Sequence, residues 1–324
     1  MVEESDDPRD VAWHPRFAQK LIGHEIAKTH FEKAFATGRP HHAWLLHGPK
    51  GIGKATFAYK MAARALGGDS IQTRRWIESR THPDLFILER QLNDAKPRKL
   101  KAEISVDDAR SLAGFLARTA SGGWRVVIID AADDLNSESA NANLKLVEEP
   151  PPKVLFFLVN HQPGRLLRTL KSRCLRLPFE RLSELDCEHI IRDLPLETKS
   201  THEEIEVALA QAQGSPGRAL ALLGSIGAKA FGTFAQLEKP KPSQLLAIAN
   251  QFAGRGIGPD EFSIFTDMLQ DWLADKAKIY ANPRLAAAHQ TISENARIVQ
   301  AFNLDRKSAV LSQLTLINDA LKAS

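Results

Sequence analysis

Short apolar runs alternate with helically spaced segments through the first half of the chain. Between about Phe17 and Phe179 the apolar runs are AWLLH, DLFIL, RVVIID, VLFFLV and CLRLPF. Runs of this length between amphipathic segments are typical of strands in a parallel sheet that helices cover. We therefore predict an α/β domain over residues 17–179.

The strand pattern stops after the last of these runs. Residues 183–191 and 202–213 carry helical spacing and are followed by the break GSPG at 214–217. These segments predict a small helical domain over residues 180–238. The sequence KPKPS comes next and predicts a linker, because closely spaced prolines disfavour helix.

A third segment, residues 239–324, has a helical pattern with apolar stripes. Apolar positions three or four residues apart fall on one face of a helix. They are Phe262, Phe265, Leu269 and Trp272 in one segment and Val310, Leu314, Ile317 and Leu321 in another. We predict a helical-bundle core; periodicity does not show whether the remaining surface serves oligomerisation.

Residues 1–16 are polar and acidic and contain two prolines, so we expect a flexible N-terminal arm. This start lacks the basic residues and the apolar run of a secretory signal, and no later apolar stretch approaches membrane-spanning length. With 43% hydrophobic residues, the 324-residue chain can bury substantial cores. We expect a cytoplasmic protein that does not bind membranes.

Cysteine content and charge restrict the function only slightly. Cys174 and Cys187 form no CxxC pair and cannot supply a four-thiolate zinc site, so we expect reduced thiols and no zinc. A formal charge of +4 leans toward polyanionic partners, yet 43 basic against 39 acidic residues is a small excess. Charge does not separate the function classes.

A glycine-rich segment, GPKGIGK, follows the run AWLLH and precedes a helical pattern. This order of strand, loop and helix is the context of a phosphate-binding P-loop. Its glycines let backbone N–H groups turn toward phosphates, and its lysine would reach the outer phosphates. A glycine-rich turn without a ligand is the alternative. The predicted nucleotide contacts are Gly48, Pro49, Gly51, Gly53 and Lys54.

The predicted loop lacks a magnesium ligand. P-loop enzymes hold Mg²⁺ with a Ser or Thr hydroxyl directly after the lysine, and this chain has Ala55 there. Thr56 lies one residue later, which is a rotation of about 100° around the helix. We do not expect Thr56 to replace the missing hydroxyl.

The run RVVIID predicts a buried strand that delivers Asp130 to the sheet edge beside the P-loop. Asp130 could hold Mg²⁺ through water there. Hydrolytic P-loop proteins of this class follow that Asp with a Glu that polarises water, whereas Ala131 and Ala132 follow here. Asp133 and Asp134 fit a solvated or helix-capping turn. We expect negligible hydrolysis, no required cofactor, and at most residual ATP or ADP binding.

Further motifs resemble the clamp-loader AAA+ family. NANLKLVEEPP at residues 141–151 resembles the family segment N-A-L-L-K-x-L-E-E-P-P, SRC at 172–174 matches its Ser-Arg-Cys signature, and HPD at 82–84 is also similar. The resemblance implies a P-loop AAA+ domain, a small helical domain and a helical collar. The four-cysteine zinc module of many relatives has no counterpart, since residues 66–81 contain no cysteine.

The resemblance implies roles for three polar side chains. Arg173 of the Ser-Arg-Cys sequence would act in trans, as an arginine finger on ATP bound by a neighbouring subunit. Asn160 takes the sensor-one position, and Arg218 takes the sensor-two position. Judged from the residues themselves, Arg173 fits a surface salt bridge, Asn160 a turn cap, and Arg218 the first turn of a helix.

The implied function is that of a non-hydrolysing subunit of the DNA polymerase III clamp loader. Its implied partners are the gamma/tau and delta subunits, with the sliding clamp and primer-template DNA reached through the complex. The alternatives are a self-sufficient ATPase of gamma/tau type, in which Thr56 and Asp133 replace the missing groups, and a P-loop nucleotide kinase. The basic run at 96–101 could touch DNA phosphates, but without interleaved aromatic residues it better fits a solvated loop.

Overall fold

The computed structural model describes residues 7, 9–68, 70–93, 100–101, 103–118, 123–161, 166–195, 201–254, 259–280, 282–302 and 304–322. All but the last two residues of the basic run at 96–101 lie outside the described residues. The chain forms two compact units, Met1–Glu197 with Gln213–Gly217 and Thr198–Ala212 with Arg218–Ser324. The division into three domains after a flexible arm stays a prediction.

A five-stranded parallel sheet forms the centre of the first unit as far as the structure describes it. Its order is β2-β3-β4-β1-β5. The strands are β1 (Ala43–His47), β2 (Leu85–Glu89), β3 (Arg125–Asp130), β4 (Val154–Asn160) and β5 (Leu175–Pro178). Every position of β4 is buried, as expected for a strand that is covered on both faces. The predicted parallel α/β fold is confirmed.

Helices cover both faces of this sheet. They are α1 (Glu25–Ala36), α2 (Lys54–Ala65), α3 (Ile71–Glu78), α4 (Val106–Leu116), α5 (Ser137–Glu148), α6 (Arg168–Lys171) and α7 (Glu184–Asp193). Successive strand side chains point to opposite faces. Trp44 and Leu46 therefore pack in one core with Phe31 of α1, whereas Leu45 packs in the other with Leu112 of α4.

Helix α4 shows how local sequence fixes a helix against the sheet. Ser105 accepts a hydrogen bond from the Asp108 N–H, and the Asp108 carboxylate accepts one from the Ser105 N–H at 3.0 Å, which is a capping box. At the other end, Nη1 of Arg125 donates to the carbonyls of Leu116 at 2.7 Å and Arg118 at 2.6 Å. A cation there offsets the helix dipole. The first residue of β3 thus anchors the end of α4.

The described part of the second unit is helical. Helix α9 (Pro216–Leu222) crosses the boundary between the units, and the others are α8 (His202–Ala212), α10 (Ile226–Ala235), α11 (Pro242–Asn250), α12 (Pro259–Tyr280), α13 (Pro283–Phe302) and α14 (Arg306–Lys322). The two predicted apolar stripes join one core, with Trp272 and Leu321 partly buried at its margin. The predicted helical-bundle core is confirmed. Within the described ranges, no helix is both long and apolar enough to cross a membrane.

Residues ahead of α1 contact the carboxyl edge of the sheet. Nη1 of Arg9 lies 2.8 Å from Oε1 of Glu89, the last residue of β2, and Arg80 binds the same oxygen at 3.0 Å. Arg16 is buried and pairs with Asp10. Arg9 therefore ties part of the predicted arm to β2, while the arm's boundary at residue 16 stays a prediction.

Candidate functional site

The loop between β1 and α2 needs glycine at several positions. The φ angle is +152° at Gly48, +78° at Gly51 and +103° at Gly53. These values lie where side chains cause backbone strain. A Cβ on Gly48 would also lie 2.3 Å from the carbonyl oxygen of Phe179. The glycines of the predicted P-loop are therefore required by the backbone that the loop adopts.

The turn that precedes and begins α9 holds the loop from outside. Oγ of Ser215 donates to the carbonyl of Lys50 at 2.9 Å, and the Gly217 N–H donates to the carbonyl of Gly51 at 2.9 Å. In a trans peptide the carbonyl and the N–H point in opposite directions, so the N–H groups of Gly51 and Ile52 face the other side. Among the described residues they have no backbone partner. The loop thus offers donors to an anion, as a phosphate site requires.

Lys54 begins α2 and is 2% exposed. Its Nζ donates to the carbonyl of Gly48 at 2.7 Å and to that of Pro49. Burial lowers its pKa to about 8, while the charges of Asp130 and Asp133 oppose this shift. The ammonium group is therefore mostly protonated at neutral pH, and it lies among loop carbonyls that phosphate oxygens could replace as partners.

Asp130 ends β3 at the same sheet edge as the loop. The register places it beside Glu89, the last residue of β2. Burial and the charge of Glu89 raise the pKa of Asp130 to about 6, and Lys54 acts in the opposite direction. Ala131 and Ala132 follow and are buried. No carboxylate therefore stands directly after Asp130, where a water-polarising Glu would be expected.

Asp133 binds the end of β4. Its Oδ1 accepts hydrogen bonds from the His161 N–H at 2.9 Å and from Nδ2 of Asn160 at 3.3 Å. These bonds differ from the solvated or helix-capping turn that the sequence suggests. They use the carboxylate to link two chain segments, whereas a general base must reach the attacking water.

Three predicted site residues meet at one edge of the sheet. Asn160, fully buried, ends β4, and the register pairs it with His47, the residue before the loop. Because the carboxyl ends of parallel strands meet, Asn160, Asp130 and Lys54 lie together. His161 adjoins them, and burial together with Lys54 lowers its pKa to about 4. No motif pointed to His161, because it follows the predicted strand without a recognisable signature.

Arg173 lies at the end of the parallel strands opposite to the phosphate loop. It precedes β5, which runs parallel to β1 with Pro178 beside His47. The phosphate loop follows His47, so the length of four-residue β5, roughly 13 Å, separates Arg173 from the loop. The side chain is 38% exposed, and its Nε lies 2.6 Å from Oε1 of Glu148. This placement argues against a role for Arg173 at the loop of its own chain.

Arg218 belongs to the second unit and lies in the first turn of α9. Its Nη2 donates to Oδ2 of Asp271 in α12 at 2.5 Å. The sequence could not indicate this partner, because 53 positions separate the two residues. The sensor-two role of Arg218 stays a prediction.

The donor set at the loop suits phosphate better than a metal ion. Asp130 could hold Mg²⁺ through water, but Ala55 offers no ligand. In the described part of the chain, no three His, Cys, Asp or Glu side chains are grouped as metal ligands. Cys174 and Cys187 are buried free thiols, and burial raises their pKa values to about 12 and about 11.

Known proteins with similar sequences include several DNA polymerase III subunits. A family model described as DNA polymerase III, delta subunit, matches residues 23–183. DNA polymerase III subunit delta' of Pseudomonas aeruginosa is 34% identical over 247 residues, which is 72% of this chain and 70% of that protein.

Two Escherichia coli proteins are also similar. Subunit delta' is 35% identical over 204 residues, 59% of this chain and 58% of that protein. Subunit tau is 30% identical over 222 residues, 65% of this chain but 33% of that protein. These matches confirm the resemblance drawn from the motifs. The chain belongs to the family of DNA polymerase III delta' subunits.

Proposed function

We propose that this chain is a clamp-loader subunit that does not hydrolyse ATP and that supplies Arg173 to the ATP site of a neighbouring subunit. Its partners would be gamma/tau and delta subunits, and the complex would load a sliding clamp onto primer-template DNA in the cytoplasm. The delta' relatives support membership of the polymerase III assembly. Similarity to a tau subunit supports a shared ancestry with a proposed neighbour.

One observation carries the proposal: the phosphate loop and Arg173 lie at opposite ends of the parallel strands. The loop follows the carboxyl end of β1, and Arg173 precedes the amino end of β5. An arginine finger stabilises negative charge that develops on a transferred phosphoryl group. Arg173 is partly exposed and separated from its own loop by the length of β5. An arginine so placed fits a phosphate that another subunit holds against this face.

The proposed lack of hydrolysis is supported by residues at the loop. Ala55 offers no hydroxyl to Mg²⁺, and Ala131 offers no carboxylate to water. The rival ATPase hypothesis needs Asp133 as the base, but this carboxylate binds the Asn160 side chain and the His161 backbone. These observations favour a loop without turnover.

Residual nucleotide binding is a further part of the proposal. The outward carbonyls of Lys50 and Gly51 leave the loop N–H groups turned inward, and Lys54 adds a positive charge. Such a site could retain ATP or ADP through phosphates alone. Asn160 and Asp130 lie at the carboxyl ends of their strands, next to the loop. Arg218 would contact the nucleotide only if it takes the sensor-two role. Neither zinc nor a catalytic metal is part of the proposal.

Arg173→Ala tests the central claim. The complex would be reconstituted with its motor and delta subunits, clamp and primed DNA, and steady-state ATP hydrolysis measured. We expect stimulated hydrolysis to fall severalfold or more, since arginine fingers contribute about 10³–10⁵ in well-studied GTPases. Arg168→Ala, an exposed arginine of α6, is the matched control and should keep full activity. Unchanged hydrolysis with Arg173→Ala would refute the proposed role.

Hydrolysis by the purified chain alone tests the second claim. We expect no turnover above background. A turnover that disappears in Lys54→Ala would instead identify a self-sufficient ATPase. Binding of ADP, measured by calorimetry with and without Mg²⁺, tests the residual site: the proposal expects Lys54→Ala to weaken any binding, and it expects Mg²⁺ to change it little.

A further inference from the structure

Glu148 makes the shortest polar contact of Arg173. It is the last residue of α5, and its Oε1 lies 2.6 Å from Nε of Arg173, so the two side chains form an ion pair. About one third of each side chain is exposed, 38% for Arg173 and 32% for Glu148. The pair therefore lies at the surface, where a neighbouring subunit could reach the guanidinium group without unfolding this chain.

Two more contacts fix the orientation of the guanidinium group. Nη1 of Arg173 donates to the carbonyl of Thr169 at 2.9 Å and to Oγ of Ser172 at 3.2 Å. The guanidinium group is planar, so the hydrogen bonds of Nη1 and the ion pair at Nε together restrict its orientation. No hydrogen bond links Nη2 to another described residue. Nη2 is therefore available to a further acceptor.

The carboxylate that holds Arg173 is itself fixed by its helix. The N–H of Glu149 donates to the carbonyl of Lys145, which keeps the last turn of α5 closed. Pro150 and Pro151 follow and end the helix. Glu148 therefore projects from a rigid element, which is a more accurate support than a loop residue.

We propose that Glu148 is a positioning residue that holds Arg173 ready for a neighbour's phosphate. This inference rests on the proposed function. A free arginine side chain must lose rotational freedom before it can stabilise a transition state. The ion pair with Glu148 removes much of that freedom in advance and leaves Nη2 available, so the finger meets the phosphate already oriented.

Glu148→Ala in the reconstituted complex tests the inference. We expect kcat for stimulated ATP hydrolysis to fall roughly threefold to tenfold with an unchanged KM for ATP, because the lost contact orients a group that acts on the transition state. Glu148→Gln keeps the shape of the side chain but removes the charge of the ion pair, so its kcat should fall between those of the parent and Glu148→Ala. Glu149→Ala removes a charge from the adjacent exposed residue and is the matched control, with no expected change.

The double variant Glu148→Ala/Arg173→Ala separates positioning from a general structural effect. If Glu148 acts through Arg173, the double variant should be no less active than Arg173→Ala. If Glu148→Ala lowered kcat by the same factor in the Arg173→Ala background as in the parent, the inference would be overturned. A kcat that stays unchanged or rises in Glu148→Ala alone would overturn it too. Loss with Arg173→Ala but not with Glu148→Ala defeats only this inference. No loss with Arg173→Ala defeats the proposed function as well.

Discussion

The side chain of Asn143 carries a polar amide into the interior of the first unit. It is 0% exposed, and neither Oδ1 nor Nδ2 has a hydrogen-bond partner among the described residues. A buried polar group without partners costs about 1–3 kcal/mol of stability. In the clamp-loader segment that this part of α5 resembles, the same position is Leu. Asn143 is therefore a weak point in the interior of the first unit.

We predict that Asn143→Leu raises the free energy of unfolding by about 1–2 kcal/mol, because Leu has the same branched side-chain shape and needs no hydrogen-bond partner. Thermal or urea unfolding would measure the change. Asn141→Leu is the control, since Asn141 is exposed on the same helix and should alter stability by less than about 0.5 kcal/mol. A destabilised Asn143→Leu variant would contradict the view of this amide as unpaired.

The element that precedes and begins α9 contacts the phosphate loop through two glycines. A Cβ added to Gly217 would lie 2.7 Å from Cα of Gly51 and 3.1 Å from its carbonyl oxygen. Both atoms belong to the backbone, so one segment would have to move. The close approach also carries the hydrogen bond from the Gly217 N–H to the Gly51 carbonyl. The shape of the loop thus depends on a small residue far away in sequence.

We predict that Gly217→Ala destabilises the protein by about 1–3 kcal/mol, because overpacking displaces backbone. Gly232→Ala is the matched control with the opposite sign. A Cβ there meets nothing within 4 Å, and Gly232 lies inside α10, where Ala should stabilise by about 0.5–1 kcal/mol. Equal effects of the two variants on the melting temperature would contradict the close contact at Gly51.

The elements of the first unit were largely predictable from sequence. β4 is the apolar run VLFFLV followed by Asn160, and a strand buried on both faces must have such a run. The carboxyl ends of parallel strands meet at one edge, so the proximity of the loop, Asp130 and Asn160 followed from their places after strands. The glycine spacing predicted the loop, because the backbone of the loop needs positive φ angles at these positions.

The contacts between distant segments were not predictable. Ser215 reaches the carbonyl of Lys50 across 165 positions, and only the packing of the turn on the loop brings them together. The pairing of Glu148 with Arg173 likewise depends on how α5 and α6 pack. A carboxylate in one motif and an arginine in another carry no signal of their partner, because many surface charges look alike in sequence.

At the scale of the whole molecule, partly buried histidines make stability depend on pH. Burial lowers the pKa of His14 and of His161 to about 4, against 6.5 for an unperturbed His. Between these values the unfolded chain binds more protons, so stability is full above pH 6.5 and falls as pH drops toward 4. Asp130, with its pKa raised to about 6, has the opposite effect below that pH, and so does Glu89, whose pKa burial also raises. We expect the histidines to outweigh these two carboxyl groups.

We predict that His14→Asn makes unfolding less sensitive to acid. Nδ1 of His14 accepts from the Arg16 N–H at 3.2 Å, and the Asn oxygen can accept the same bond without taking up a proton. The variant should therefore lose about 1–2 kcal/mol less stability than the parent between pH 6.5 and 4. Urea unfolding at several pH values would measure the two slopes, and identical slopes would contradict the prediction.

The opposite placement of the phosphate loop and Arg173 determines the symmetry of any contact that joins them. Such a contact unites two different surfaces, head to tail, and therefore has no twofold axis. Its repetition gives a ring or a helical row instead of a closed dimer. A head-to-tail row has a direction. A subunit that offers the arginine but does not turn over nucleotide marks one end of the series of catalytic contacts, because it assists the ATP site of one neighbour and needs no arginine from the other.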